Sequence, residues 1–237
     1  MKMICLGDSI TRAQVSADYV AMLRSRLPEA TVINAGVNYE PSSETVKRLD
    51  DVVGQDPDVV TVLIGTNDAN STLSGTLAKT LRKRWKLAAD PTPEAYAANL
   101  ATIARRLQDE TMARVAMLSL PVIGEELDSV PVRRAAEYSE IVRRVAAAEG
   151  VTYLPLNERM TAYLQEQGRA PGTPYQAEGK LAQTAAMQHF LLGRSLDAIS
   201  RGRGLQLTTD NVHLNSRGAA MIADLIEGFT ARSIAPH

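Results

Sequence analysis

The stretch Met3-Ile4-Cys5-Leu6-Gly7-Asp8-Ser9-Ile10-Thr11 decides how the rest of the chain is read. Four apolar residues end at a glycine, and an acid and a hydroxyl follow before apolar spacing resumes. A short apolar run closed by turn residues reads as a buried strand. Ser9 then falls between that strand's carboxyl end and the next helix. Four more runs have the same character: Thr31–Asn34, Val59–Ile64, Val115–Leu120 and Val151–Leu154. The third and fourth of the five are continuous rather than alternating, as expected for strands covered on both faces of a parallel sheet.

Helical spacing fills the gaps. Tyr19, Leu23 and Leu27 recur every four residues and stop at Pro28. Ser43 to Val53 carries Val46, Leu49 and Val53 on one stripe. Thr92-Pro93-Glu94 is a helix start, with a capping hydroxyl and a first-turn proline, and Tyr96, Leu100, Ile103 and Leu107 follow. Pro131 to Glu149 reads as a helix closed by Gly150. Asn215 and Ser216 are capping candidates for a last helix bearing Met221, Ile222, Leu225, Ile226 and Phe229. Strands alternating with helices predict right-handed crossovers and an α/β/α sandwich. No linker divides the chain, so residues 1–237 are read as one domain. Two segments exceed ordinary connections, at about 70–91 and 155–209, and both are expected to cap the sheet's carboxyl edge. The second is read as containing a helix from about Ala177 to Ser200.

Composition narrows the function. With 26 Lys+Arg against 27 Asp+Glu and 4% aromatics, neither nucleic acid nor an anionic surface is the expected main partner. Cys5 is a lone cysteine in an apolar run, read as core. Three histidines (His189, His213, His237) with no HExxH or CxxC argue against a metal site, and no cofactor is expected. No run approaches a membrane span. With no signal peptide read, the chain is expected to be cytoplasmic, a secreted mature form being the alternative. A homo-oligomer is left open.

Ser9 needs a base to become a nucleophile. In Asp210-Asn211-Val212-His213, the acid can reach the imidazole Nδ1–H from the same turn and fix its tautomer. DxxH alone is common. Two further strand ends add Asn34-Ala35-Gly36 and Gly65-Thr66-Asn67-Asp68. A glycine N–H and an asparagine amide suit the donors that acyl transfer needs. His189 is read as a packing or surface residue, and His237 as a terminal residue with no visible partner. The Gly-x-Ser-x-Gly elbow and the P-loop are both absent.

Taken in order, Gly7-Asp8-Ser9, Gly36, Gly65-to-Asp68 and Asp210-to-His213 resemble the four blocks of the SGNH hydrolases, the GDSL esterase/lipase family. The resemblance implies a five-stranded parallel sheet of order 2-1-3-4-5, with flavodoxin-like topology. It implies Ser9 as nucleophile, His213 as base and Asp210 as its orienter. The Ser9 and Gly36 N–H groups and the Asn67 amide are implied as the oxyanion hole. The expected substrate is a small or lipid-like ester. Sugar O-deacetylation, lysophospholipase or thioesterase action and acyl transfer use the same residues, while a non-catalytic binding module would not need them. Two departures bear on the pocket. Asn211 stands where the family often has glycine, a substitution that left-handed backbone tolerates. After Gly36 the chain reads Val37-Asn38-Tyr39-Glu40-Pro41, a bulkier rim than usual.

Overall fold

A computed structural model describes residues 1–177 and 179–231. Glu178 and residues 232–237 lie outside the described residues, and the reading of His237 with them. In chain order the elements are β1 Lys2–Gly7, α1 Ser9–Arg12, α2 Tyr19–Arg26, β2 Thr31–Gly36, α3 Ser42–Lys47, α4 Leu49–Val53, β3 Val59–Leu63, α5 Thr66–Ser71, α6 Gly75–Trp85, α7 Pro93–Glu110, β4 Arg114–Leu118, α8 Val130–Glu149, β5 Thr152–Leu154, α9 Leu156–Gln167, α10 Lys180–Phe190, α11 Leu196–Gly202 and α12 Ser216–Ala231. The sheet is parallel throughout with order β2-β1-β3-β4-β5. All five strands fall where the apolar runs put them.

Alternation along β1 shows why both faces are covered. Met3 and Cys5 join a core with Tyr19, Leu23, Met160 and Ile222, from α2, α9 and α12. Ile4 and Leu6 join the opposite core with Leu49, Leu100, Ile103 and Val142, from α4, α7 and α8. Successive side chains point to opposite faces of a strand, so one apolar run feeds two helical layers. Cys5 is fully buried, and that burial pushes its thiol up to about 12, as befits a core residue.

The caps read from sequence are present. Thr92 accepts from the Ala95 N–H at 3.2 Å, and Gly150 ends α8 at φ +70°. Asn215 accepts from the N–H groups of Arg217 and Gly218, at 3.0 and 3.1 Å. Two helices differ from expectation. The stripe from Ser43 to Val53 is split into α3 and α4 at Arg48, whose backbone leaves the helix at φ −109°, ψ +16°. Its side chain turns inward to Glu40 Oε1 at 2.6 Å and the Ala35 carbonyl at 2.8 Å. The single helix expected over Ala177–Ser200 is instead α10 and α11. Gly193 turns left-handed at φ +63°, and Ser195 caps the new helix by accepting from the Ala198 N–H. A glycine followed by a capping hydroxyl stops and restarts a helix although the apolar pattern runs on.

Candidate active site

Ser9 opens α1 directly beyond β1. Asp8 caps the helix, its Oδ1 accepting from the Ile10 N–H at 3.0 Å. As the first residue of a helix, Ser9 presents an N–H with no intrahelical acceptor. Gly36 lets α1 approach the end of β2. A Cβ on Gly36 would lie 2.2 Å from the Arg12 nitrogen. Gly65 does the same for the third strand end, at φ +120°, with a Cβ position 2.4 Å from the Tyr96 hydroxyl. That hydroxyl donates to the Ile64 carbonyl at 2.8 Å.

From the far end of the chain, the turn after Thr209 brings His213 to Ser9. Ser9 Oγ lies 3.0 Å from His213 Nε2, and His213 Nδ1 lies 2.8 Å from Asp210 Oδ2. The other carboxylate oxygen of Asp210 accepts from the N–H groups of Val212 and His213, at 3.0 and 2.7 Å. That tight turn requires left-handed backbone, which Asn211 supplies at φ +71°. Burial disfavours charge on both partners, but their mutual attraction and hydrogen bonds outweigh it. Asp210 is thereby held below the usual carboxylate range and His213 above the usual imidazole value. Such an imidazole can take a proton from a hydroxyl and keep the resulting charge against a fixed carboxylate.

The two other donors named from sequence stand differently. The Gly36 N–H donates to Asn34 Oδ1 at 2.9 Å. Asn67 Nδ2 donates to the Glu40 carbonyl at 3.1 Å and, more weakly, to Asp8 Oδ2 at 3.4 Å. Both therefore face protein acceptors. Asp8 is fully buried, which pushes its carboxyl up to about 7 against the pull of the Ile10 N–H and His213. Asp68 is also buried and raised by that burial, and it accepts from the N–H and the hydroxyl of Ser42 at 2.9 and 2.6 Å. His189 is not at the site. Its Nδ1 pairs with the Arg194 carbonyl at 2.9 Å.

Two residues that carry no recognisable motif hold the Asp210 turn in place. Glu125, buried beyond β4, accepts from the N–H groups of Gln206, Leu207 and Thr208 at 2.6, 2.9 and 2.8 Å, and from the Thr208 hydroxyl at 2.7 Å. Arg203 donates to the Thr209 carbonyl at 2.7 Å and to the Leu181 carbonyl at 3.0 Å, tying α10 to that turn. The glycines flanking Arg203 hinted at a loop, but nothing in the sequence indicated its partners.

Ser9 and His213 open into a cavity of about 260 Å³. Gln14, Asn38 and Tyr39 form one side, and Ala182, Ala186 and Phe190 of α10 the other. A larger cavity of about 480 Å³ lies among Arg114, Tyr153 and Phe229, far from any nucleophile–base pair. We take the smaller as the candidate site because the chemistry is there. Of the two long segments, α9 packs Leu156, Met160 and Leu164 into the body's core, whereas α10 lines the cavity. From the other segment, the Trp85 indole N–H donates to the Tyr39 carbonyl at 2.7 Å. Among the described residues no group of histidine, cysteine or carboxylate side chains could hold a metal ion, and no helix is long and apolar enough to cross a membrane.

A strand-end serine, a distal DxxH and a 2-1-3-4-5 sheet define a three-layer α/β/α hydrolase. The family model of the GDSL-like Lipase/Acylhydrolase family matches residues 5–221, so the chain belongs to that family and is a carboxylic ester hydrolase. Its fold is shared with the acetyl xylan esterase AlAXEase, at 20% identity and a TM-score of 0.70 over 97% of this chain and 99% of that one. It is also shared with a lipase/acylhydrolase from Enterococcus faecalis, at 20% identity and 0.64 over 100% and 98%. Axe2, an acetylxylan esterase from Geobacillus stearothermophilus, aligns at 18% identity and 0.66 over 95% and 91%. No curated protein matches the sequence.

Proposed function

We propose that the protein hydrolyses short-acyl esters of polar alcohols through a Ser9 acyl-enzyme. The observation that carries this reading is the unbroken Ser9–His213–Asp210 hydrogen-bonded chain at the mouth of a small cavity. Ser9 Oγ attacks the carbonyl while His213 Nε2 takes its proton. Asp210 holds the Nδ1–H and stabilises the imidazolium. His213 then returns the proton to the leaving alcohol, and water attacks the acyl-enzyme by the same route in reverse. In the tetrahedral intermediate the Ser9 N–H, the Gly36 N–H and the Asn67 amide donate to the oxyanion. Gly36 and Asn67 exchange or share their present acceptors to do so. No metal or cofactor enters these steps.

Size and lining support the substrate class. Ligand cavities usually span about 300–1,000 Å³, so this one suits a small ester. Gln14, Asn38 and Gln183 line it beside Phe190 and offer amides to a hydroxylated alcohol. Acetylated carbohydrate fits that description, as the acetylxylan esterase activity of two structural neighbours also suggests. We place the cap over the cavity in α10, with α6 bracing the opposite rim through Trp85. A second reading, esters of longer acids, rests on one observation. Phe190, Leu191 and Leu192 stand exposed at the end of α10, next to the cavity. Hydrolysis of p-nitrophenyl esters from acetate to palmitate, beside acetylated sugars, tests the choice. Turnover should peak at acetate and propionate, and a peak at eight carbons or more would favour the second reading.

A further inference from the structure

The rim of the Ser9 cavity beyond β2 carries features that ester hydrolysis alone does not use. Tyr39 lines the cavity, yet its backbone is left-handed at φ +61° and the residue is 48% exposed. For a bulky aromatic that backbone is an outlier, and such outliers persist only where neighbours impose them. The neighbour here is α6. The Trp85 indole holds the Tyr39 carbonyl, and the Arg84 guanidinium carbon sits 5.2 Å from the Tyr39 ring centre and 5.8 Å from that of Trp85. The segment from Gly75 to Lys86 has five cationic residues and no acid. Arg82 has Asp90 at 3.6 Å, but among the described residues no carboxylate pairs with Arg84. Cations in a last turn offset the helix dipole. That accounts for their sign, but not for a guanidinium stacked on a strained residue of the nucleophile's own cavity.

We infer that Arg84, stacked over Tyr39, determines specificity for esters whose alcohol portion bears a carboxylate. The inference rests on the esterase reading above and extends it to a substrate class. His213 lines the same cavity as Tyr39 and is the group that returns a proton to the leaving alcohol, so an alcohol leaving past His213 has Tyr39 on the cavity wall. A guanidinium held over a ring keeps N–H donors for a carboxylate, and its pre-ordering reduces the entropy lost on binding. The flanking cations of α6 add a positive field that draws anions toward the cavity.

The test compares kcat/KM for 4-acetoxybenzoate and for its neutral methyl ester, in the wild-type chain and in Arg84→Gln and Arg84→Lys. Taking the ratio of the two esters within each protein, then comparing proteins, cancels their intrinsic reactivities. The anionic-to-neutral ratio should fall about fivefold in Arg84→Gln, the effect of an exposed, pre-ordered ion pair. Arg84→Lys should fall between, keeping the charge but not the guanidinium's N–H fork. Raising salt from about 0.1 M to about 1 M cuts the screening length from about 10 Å to about 3 Å, and should lower the wild-type ratio more than that of Arg84→Gln. Equal ratios in wild type and Arg84→Gln at both salts would overturn the inference while leaving the esterase reading intact. A ratio that responds only when the carboxylate is on the acid, as in monophenyl succinate, would overturn the alcohol-side assignment. Hydrolysis of neither acetate would overturn the short-acyl reading, and this inference with it.

Discussion

Replacing Glu125 by glutamine changes one heavy atom and should weaken both fold and catalysis. The carboxylate receives four hydrogen bonds from Gln206, Leu207 and Thr208, the approach to Asp210. With the amide oxygen toward Leu207 and Thr208, three of the four can persist. The amide nitrogen then faces the Gln206 N–H, a donor against a donor at the position of a 2.6 Å bond. A hydrogen bond to a charged group contributes about 1.5–3 kcal/mol, and an orphaned buried donor costs about 1–3 kcal/mol. With partial relaxation, Glu125→Gln should lose about 2–4 kcal/mol in urea unfolding, without a change in the slope against denaturant. A loosened turn misplaces His213 by fractions of an ångström, so kcat should fall about tenfold or more while KM moves less. Glu125→Ala, which strands all four donors, should be worse on both counts. A Glu125→Gln protein within about 0.5 kcal/mol of wild type and with full kcat would refute this account of how the turn is held.

Five other expectations follow from the same geometry. Asp210→Asn should lower kcat severely by disturbing the tautomer, yet less than His213→Ala, which deletes the base; equal activity of the two would contradict the relay. The acid limb of kcat/KM against pH should lie above the ordinary imidazole value of 6.5, because His213 must be neutral to act and its pKa is raised. Asp8→Asn removes a carboxyl whose ionised form raises His213, so that limb should move to lower pH; a move upward would contradict the sign. Asn67→Ala should cut kcat about 10²–10³-fold with little change in KM if the amide turns to the oxyanion, and an effect confined to KM would assign it to substrate binding. Gly36→Ala sets a methyl against the Arg12 backbone and should cost at least about 1–3 kcal/mol in thermal or urea unfolding, the usual range for overpacking.

The sheet was legible because its signal is local. Each strand is a short apolar run, and the layers follow from alternation with helices, while the strand order was implied by the family resemblance. The meeting of Ser9, Asp210 and His213 could be anticipated because their residue types and the DxxH spacing fit the chemistry once the four blocks were read together, and Asn211 met the turn's backbone need. What escaped notice depended on partners distant in sequence. Glu125 looks like any loop acid, since three of its four donors are backbone N–H groups about eighty residues away, and a backbone donor leaves no mark in a sequence. Arg48 lies in a good helical stripe, and only the buried Glu40 draws it out of the helix. Gly193 and Ser195 did display a stop and a start, but the apolar spacing on either side outweighed them. Gly36 was matched as an oxyanion donor, and the close approach of Arg12 gives that glycine a packing reason of its own.

The central claim is that Ser9 is the acylated nucleophile and His213 its base. Mass spectrometry after treatment with a fluorophosphonate tests it most directly. The account predicts stoichiometric phosphonylation on the peptide bearing Ser9, slowed strongly in His213→Ala and absent in Ser9→Ala, with ester hydrolysis lost in parallel. Ester hydrolysis that survives Ser9→Ala, or a label that settles on another residue while Ser9 stays unmodified, would contradict it.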